Sequence, residues 1–350
     1  MDILIHASED VPEWPFLVLI DQYIFNNQQV DDIVVPDSFR THINFMAERS
    51  LILSAGEILF DVFPEYKRPG GAPFNFFYHI FRLGLDAVFL SRIGADENGA
   101  EILNFLSQKQ VPTRYIQQDP EHPTGWVQVK LDATGIPDFT IIQNVAYDYL
   151  QYDPAIDALL PDIDLIYFGT LIQRAGGAAT VRKILERKLA SARSLYDMNL
   201  RPDCFHPDII IQSLQACDIL KVNEDELAFA MEMHMLSGPD DSGVDFLMNH
   251  FGIQWVCVTR GHRGSSLFTT DGRWDAPVDA GPPPIDTVGA GDAYAAVLAV
   301  GYLLNWRPET VVQRASELAG AICRIPGAIP ENSAFYNRYL KWISEKPDEG

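Results

Sequence analysis

The chain has 350 residues, is 47% hydrophobic, and sets 26 Lys and Arg against 48 Asp and Glu, a formal net charge of -22. Such a length can bury a full core in one large domain with a small appendage. A surface this acidic repels nucleic acid and anionic membranes, so a phosphate-bearing substrate must be held by local dipoles, metal and a few placed cations. The cysteines, Cys204, Cys217, Cys257 and Cys323, show no C-x-x-C spacing, which fits a reduced, cytoplasmic protein without structural zinc. The N-terminus MDILIHASEDVPEW has neither the basic nor the apolar region of a signal peptide, and no run reaches the apolar length of a membrane span.

Residues 1–50 mix a short apolar run, Phe16 to Ile20, with amide-rich stretches, and read as an N-terminal extension of unknown role. The texture changes at Leu51. LILSAGEILFDVFP is strand-like, with Gly56 and Glu57 at its end and Asp61 just beyond. Next comes Gly70-Gly71-Ala72-Pro73-Phe74-Asn75, leading into an apolar helical pattern. A double glycine feeding a helix permits close approach of backbone to a small ligand, with Asn75 as donor and acceptor; an ordinary turn and cap would look the same. AVFLSRIGADENGAEILNFLSQKQV adds a strand, a glycine loop and a helix, continuing a βα alternation. Thr124 to Ile142 alternates apolar and polar residues around DATG, which predicts a β-hairpin. It reads as a flap over the Asp61 and Asn75 region, or else as an edge hairpin.

From Asp164 the βα rhythm returns. LIYFGTL, SLYDMNLRP, DILKVNEDEL and WVCVTRGHRG each predict a buried strand with polar or glycine residues at its C-terminal end. Ligands of open parallel sheets bind at those ends. One rim is therefore expected to gather Asp197, Asn199 and Arg201, then Asn223 and Glu226, then Thr259, Gly261 and Gly264. Last comes DTVGAGDAYAAVLAVGYLL from Asp286 to Leu304, where Gly289-Ala290-Gly291 and Asp292 precede an uncharged apolar run. Converging N–H groups at such a helix start form an anion pocket with an acid beside it, an arrangement suited to phosphoryl transfer. Half a dinucleotide fingerprint is excluded because Tyr294 stands where the third glycine belongs. A plain buried helix with a capping Asp is the other reading of the stretch alone. No Gly-Lys dipeptide occurs, which excludes a P-loop, and no H-E-x-x-H spacing exists among the eight histidines.

Taken together, GGAPFN, DMNLRP, KVNEDE, DTVGAGDAY and GAIP resemble, in chain order, the motifs of the ribokinase/PfkB family of carbohydrate kinases, most closely its fructokinase-like branch. The resemblance runs from about Leu51 to Pro330. It departs from the family at Ala296 and Val297, where smaller residues are usual, and at Gln143, where many fructokinase-like members have Arg.

The resemblance implies a ribokinase-like three-layer α/β/α sandwich with a mostly parallel central sheet and a small β-sheet lid. The kinase domain would span 51–340, with lid strands from about 57–75 and 111–146. It also implies ATP-dependent phosphorylation of a sugar hydroxyl, fructose or a related hexose first. Asp292 would be the base and Gly289, Ala290 and Gly291 the anion hole. Asp61, Gly70, Gly71, Asn75 and Arg201 would meet the sugar, although Arg201 leans towards a structural ion pair. Asn223, Thr259, Gly261 and Gly264 would line ATP. Asn223 and Glu226 would hold Mg²⁺ through water, and Asp286 with the carbonyls of Val288 and Gly327 would hold K⁺. A homodimer through the lid is expected. The alternatives are a 2-keto-3-deoxygluconate kinase, its substrate carboxylate met by Arg201 or Arg114, a nucleoside kinase, or a non-catalytic sugar-binding sensor on the same fold.

Overall fold

Strand periodicity divides the interior in two. Within the strand Ile163–Gly169, Leu165 and Tyr167 face one core while Ile166 and Phe168 face the other. The same alternation recurs at Leu195 and Tyr196, at Ile219 and Leu220, and at Leu267 and Phe268. A sheet apolar on both faces must be covered on both, and helices do this. The computed structural model describes residues 50–131, 137–276 and 281–344.

In chain order the strands are β1 Leu51–Ala55, β2 Leu59–Val62, β3 Lys67–Gly70, β4 Asp86–Gly94, β5 Ile116–Asp119, β6 Trp126–Leu131 and β7 Pro137–Ile141. There follow β8 Ile163–Gly169, β9 Arg193–Asp197, β10 Ile219–Asn223, β11 Trp255–Thr259, β12 Ser265–Thr269 and β13 Gly272–Ala276. Nine of them form one sheet in the order β13-β12-β11-β10-β9-β8-β1-β4-β5. It is parallel except where β12 joins β11 and β13. The helices Ala72–Arg82, Glu97–Gln108, Ala290–Leu303 and Pro308–Ile322 cover one face. Those at Gly177–Arg187, Pro207–Ala216, Glu224–Met233 and Asp240–Phe251 cover the other. This is a ribokinase-like fold with a large, mostly parallel sheet and a second, smaller one. Among the described residues no helix is long and apolar enough to cross a membrane.

The smaller sheet has the order β3-β2-β6-β7. Two features differ from the sequence reading. LILSAGEILFDVFP is two strands in two sheets, because the chain turns at Gly56, where a Cβ would lie 2.2 Å from the Pro73 ring. Ser54 Oγ donates to the Pro73 carbonyl at 2.8 Å beside this turn. Within 111–146, β5 joins the edge of the large sheet rather than the small one, pairing in parallel with β4 and fixed by the buried Arg92–Asp119 ion pair at 2.9 Å. Residues 1–49, the DATG centre of the hairpin and residues 345–350 lie outside the described residues.

Candidate active site

The helix Ala290–Leu303 is apolar all round, so it can only be stable buried, and Ala293 to Gly301 are. Ala296 and Val297 are fully enclosed there. The helix begins at Gly289, whose φ of 78° is left-handed, and a Cβ on Gly289 would lie 2.4 Å from that of Ala328. The first-turn N–H groups of any helix lack intrahelical partners; here that of Ala290 donates to the Thr287 carbonyl at 3.3 Å.

Asp292 sits in that first turn, partly open to the cleft. Asn75 Nδ2 donates to its Oδ2 at 2.8 Å. Crowding by protein pushes its pKa up to about 6; the Asp197 charge adds to this, and the Asn75 amide, Lys221 and Arg201 oppose it. Asn75 was expected on the sugar. Its amide also meets the acid itself, and its own Oδ1 is buried without a partner. The helix that carries Asn75 starts at Gly71, with φ of 113°, where a Cβ would strike the Glu57 carbonyl at 2.5 Å.

Beneath the glycines lies a buried ion pair. Lys221 Nζ reaches both oxygens of Asp197 at 2.9 Å, and Tyr167 Oη donates to Asp197 Oδ2 at 3.1 Å. Period-two alternation puts Asp197 and Lys221 on the same face as Leu195 and Ile219, the face covered by the Asp292 helix. Burial works against the Lys221 charge, but Asp197 and Glu226 outweigh it and raise its pKa. A Cβ on Gly291 would be 3.4 Å from Lys221 Nζ, so the ammonium lies close under the glycine turn. Lys221 went unread in the sequence, although a lone charge inside the apolar strand ILKVN is a signal for such a role. Glu57 was likewise unassigned. It is buried, its Oε2 has no partner, and burial, more than the nearby Asp292, lifts its pKa to about 7.

On the small sheet, Asp61 of β2 faces Arg68 of β3, and a Cβ on Gly70 would touch Asp61 Oδ2 at 2.4 Å. Burial raises the Asp61 pKa to about 6, with Arg68 and Arg201 opposing. Arg201 is exposed, and among the described residues its guanidinium donates only to the Leu200 carbonyl, at 3.1 Å. A structural ion pair is therefore not what it makes. It bears electrostatically on Glu57, Asp61 and Asp292.

Further along the rim, Asn223 of β10 lies in register with Thr259 of β11. Glu226 and Asn223 lock each other as a capping box. Glu226 N–H donates to Asn223 Oδ1 and Asn223 N–H to Glu226 Oε2, each at 2.8 Å, while Leu200 N–H donates to Glu226 Oε1 at 2.9 Å. With both oxygens so engaged, Glu226 suits a hydrated metal better than direct ligation. The described residues hold no group of three or more His, Cys, Asp or Glu arranged around a metal. Gly261 and Gly264 both have positive φ in the turn after β11, and Gly261 opens onto free space.

The residues expected around K⁺ do not suit a monovalent ion as they stand. Asp286 Oδ1 accepts from Val288 N–H at 3.0 Å and Oδ2 from Gly327 N–H at 2.9 Å. Arg68 Nη1 is 3.9 Å from that same Oδ2, so a cation there would meet a fixed positive charge.

An acid in the first turn of a glycine-led helix, at the carboxyl ends of a parallel sheet and facing a smaller sheet, is a layout suited to phosphoryl transfer to a small hydroxyl compound. The pfkB family carbohydrate kinase model matches residues 32–334, and the chain belongs to this family. The match begins inside the segment read as an extension. A fructokinase of Klebsiella pneumoniae is 30% identical over 280 residues, covering 75% of this chain and 88% of its own. A sugar kinase of Pyrococcus horikoshii solved in complex with ATP superposes with a TM-score of 0.66 at 27% identity, covering 79% of this chain and 93% of that one. The fructokinase of Vibrio cholerae O395 bound to fructose, ADP and calcium shares the fold with a TM-score of 0.68 at 22% identity, over 83% and 98%. The chain is thus an ATP-dependent carbohydrate kinase, and the reading as a non-catalytic sensor gives way.

Proposed function

We propose that the chain transfers the γ-phosphoryl group of ATP to a hydroxyl of a free hexose, fructose first. The observation that carries this is Asp292: a carboxylate held by one amide, raised to about 6, in the first turn of a helix whose glycines leave the backbone open. Asp292 takes the hydroxyl proton as the sugar oxygen attacks phosphorus, and the bond to ADP breaks. The N–H groups of Gly289 and Gly291, with that of Ala290 once it leaves the Thr287 carbonyl, would meet the charge that grows on the transferred group. Lys221, neutralised by Asp197, holds the floor of the turn without drawing the phosphoryl group down.

Asp61, Gly70, Gly71 and Glu57 offer acceptors and backbone to a polyol, which suits a neutral sugar. Thr259, Gly261 and Gly264 line the nucleotide side. Asn223 and Glu226 would hold Mg²⁺ through water, and the ion would neutralise phosphate charge. The fructokinase relative and the fructose-bound neighbour support the choice of hexose. A dimer through the small sheet, whose β3 and β7 edges are unpaired within the described residues, belongs to the same reading; a monomeric mass in solution would sink it.

One observation favours a second substrate. The exposed Arg201 guanidinium, without a carboxylate partner among the described residues, could receive the carboxylate of a keto-deoxy sugar acid such as 2-keto-3-deoxygluconate. Arg114 is less suited, since it lies over Tyr115 at 5.5 Å beside the edge strand β5. ADP release with Mg·ATP across fructose, 2-keto-3-deoxygluconate, ribose and a nucleoside decides between them. Turnover of fructose alone supports the first substrate, turnover of the keto acid alone the second, and turnover of ribose or the nucleoside alone refutes both.

A further inference from the structure

Arg68 has no part in the mechanism above, yet it is built into the wall of the site. It lies on β3 of the small sheet, beside an aromatic pair in the preceding turn. Phe63 and Tyr66 stack at 4.5 Å and 19°, and the Arg68 guanidinium lies 5.2 Å and 4.8 Å from their ring centres. Its Nη2 donates to Tyr66 Oη at 2.7 Å. These contacts fix a planar cation on an otherwise flexible stem. The group so fixed points across to the large domain, with Nη1 3.9 Å from Asp286 Oδ2. It lies close against Gly327, where an added Cβ would sit 2.1 Å from Nη1.

Asp286 and Gly327 are the residues that shape the glycine turn. The Asp286 carboxylate ties Val288 to Gly327 through their N–H groups. The neighbouring Ala328 is the residue against which Gly289 packs. A carboxylate with two backbone donors still carries a full negative charge close to an anion hole, and such a charge works against a phosphoryl group unless a cation answers it.

We infer that Arg68 supplies from within the chain the positive charge that a monovalent ion would otherwise bring to Asp286 and Gly327, tying the small sheet to the geometry of the Gly289–Gly291 turn. Arg68 is then a positioning residue. The inference rests on the anion-hole role proposed for Gly289 to Gly291.

The test compares wild type with Arg68→Met, which keeps an apolar stem on the rings, in tetramethylammonium chloride and in KCl at equal ionic strength. Both turnover and thermal melting are read. Wild type is expected to change by less than about 2-fold in rate between the salts, whereas Arg68→Met should fall by about 10-fold or more without K⁺ and recover in its presence, within the range of a weakened anion hole. Melting should be the same in both salts for wild type and higher in KCl by a few degrees for the variant. A wild type that needs K⁺ and melts higher in it overturns the inference, as does a variant that K⁺ rescues in neither measurement. If wild type turns over no sugar, the substrate reading fails by itself and the melting comparison still decides Arg68. The wild-type melts need no variant, so a misfolded Arg68→Met does not shield the idea.

Discussion

Asp286 and Asp292 stand at the two ends of one glycine-rich turn, and their surroundings differ in kind. Asp286 has a donor on each oxygen: two backbone N–H groups bond to them, and a guanidinium lies beside one. Asp292 has one side-chain donor, Asn75, in a crowded pocket that lifts its pKa to about 6. The contrast is one of burial first and of donor count second. A carboxylate given enough donors becomes a tie between loops, whereas one left short of them keeps a lone pair for a proton.

The comparison can be broken most forcefully at Asp292. Replacing it with Asn should lower kcat by about 10²–10⁴-fold, the usual worth of a positioned base, in a protein that still folds. A folded Asp292→Asn variant with wild-type turnover would remove the base from the reading. Asp286→Asn is expected to lose less, about 10- to 100-fold, because it disturbs the turn rather than the chemistry. Its acid limb in the pH–rate profile should stay where Asp292 sets it, near pH 6. If that limb moved as far as it does for a change at Asn75, the two carboxylates would not be separable in role.

Asn75→Ala sharpens the same point. The Asn75 hydrogen bond lowers the Asp292 pKa, so its loss should push the acid limb above pH 6 and cut kcat at neutral pH by up to about 10-fold. A limb that stays in place would show that the contact does not tune the base.

The last expected effect is on stability rather than on rate. Glu57 is raised to about 7, so the folded state holds its proton more tightly than the unfolded chain. The sign follows: the stability linked to this group is fully present below the unfolded pKa and is lost as pH rises through about 7. Glu57→Gln, which carries no charge to bury, should therefore gain roughly 2–3 kcal/mol on wild type at pH 8 and little at pH 4, read by denaturant melts. Equal stability of the two proteins at pH 8 would refute the burial argument.

Much of this was legible in the chain alone. Alternating apolar runs with polar ends predicted β8 to β11, and their register does place Asp197 beside Lys221 and Asn223 beside Thr259. The glycine-rich lead into an uncharged run predicted the helix at Ala290–Leu303, since no exposed surface tolerates twelve apolar residues in a row. Such features depend on neighbours in sequence, through periodicity and backbone freedom. Contacts between residues hundreds of positions apart were decided elsewhere. Asn75 reaches Asp292 across 217 positions, and Arg68 comes to Asp286 only because the small sheet stands against the large domain. Glu57 reads as an ordinary polar residue after a glycine, and only packing removes the water that would hold its pKa down. The sequence by itself determined which groups the rim would carry. Tertiary structure decided how many donors each carboxylate received, because that count depends on distance in space, and with it which acid ties loops together and which one is left to react.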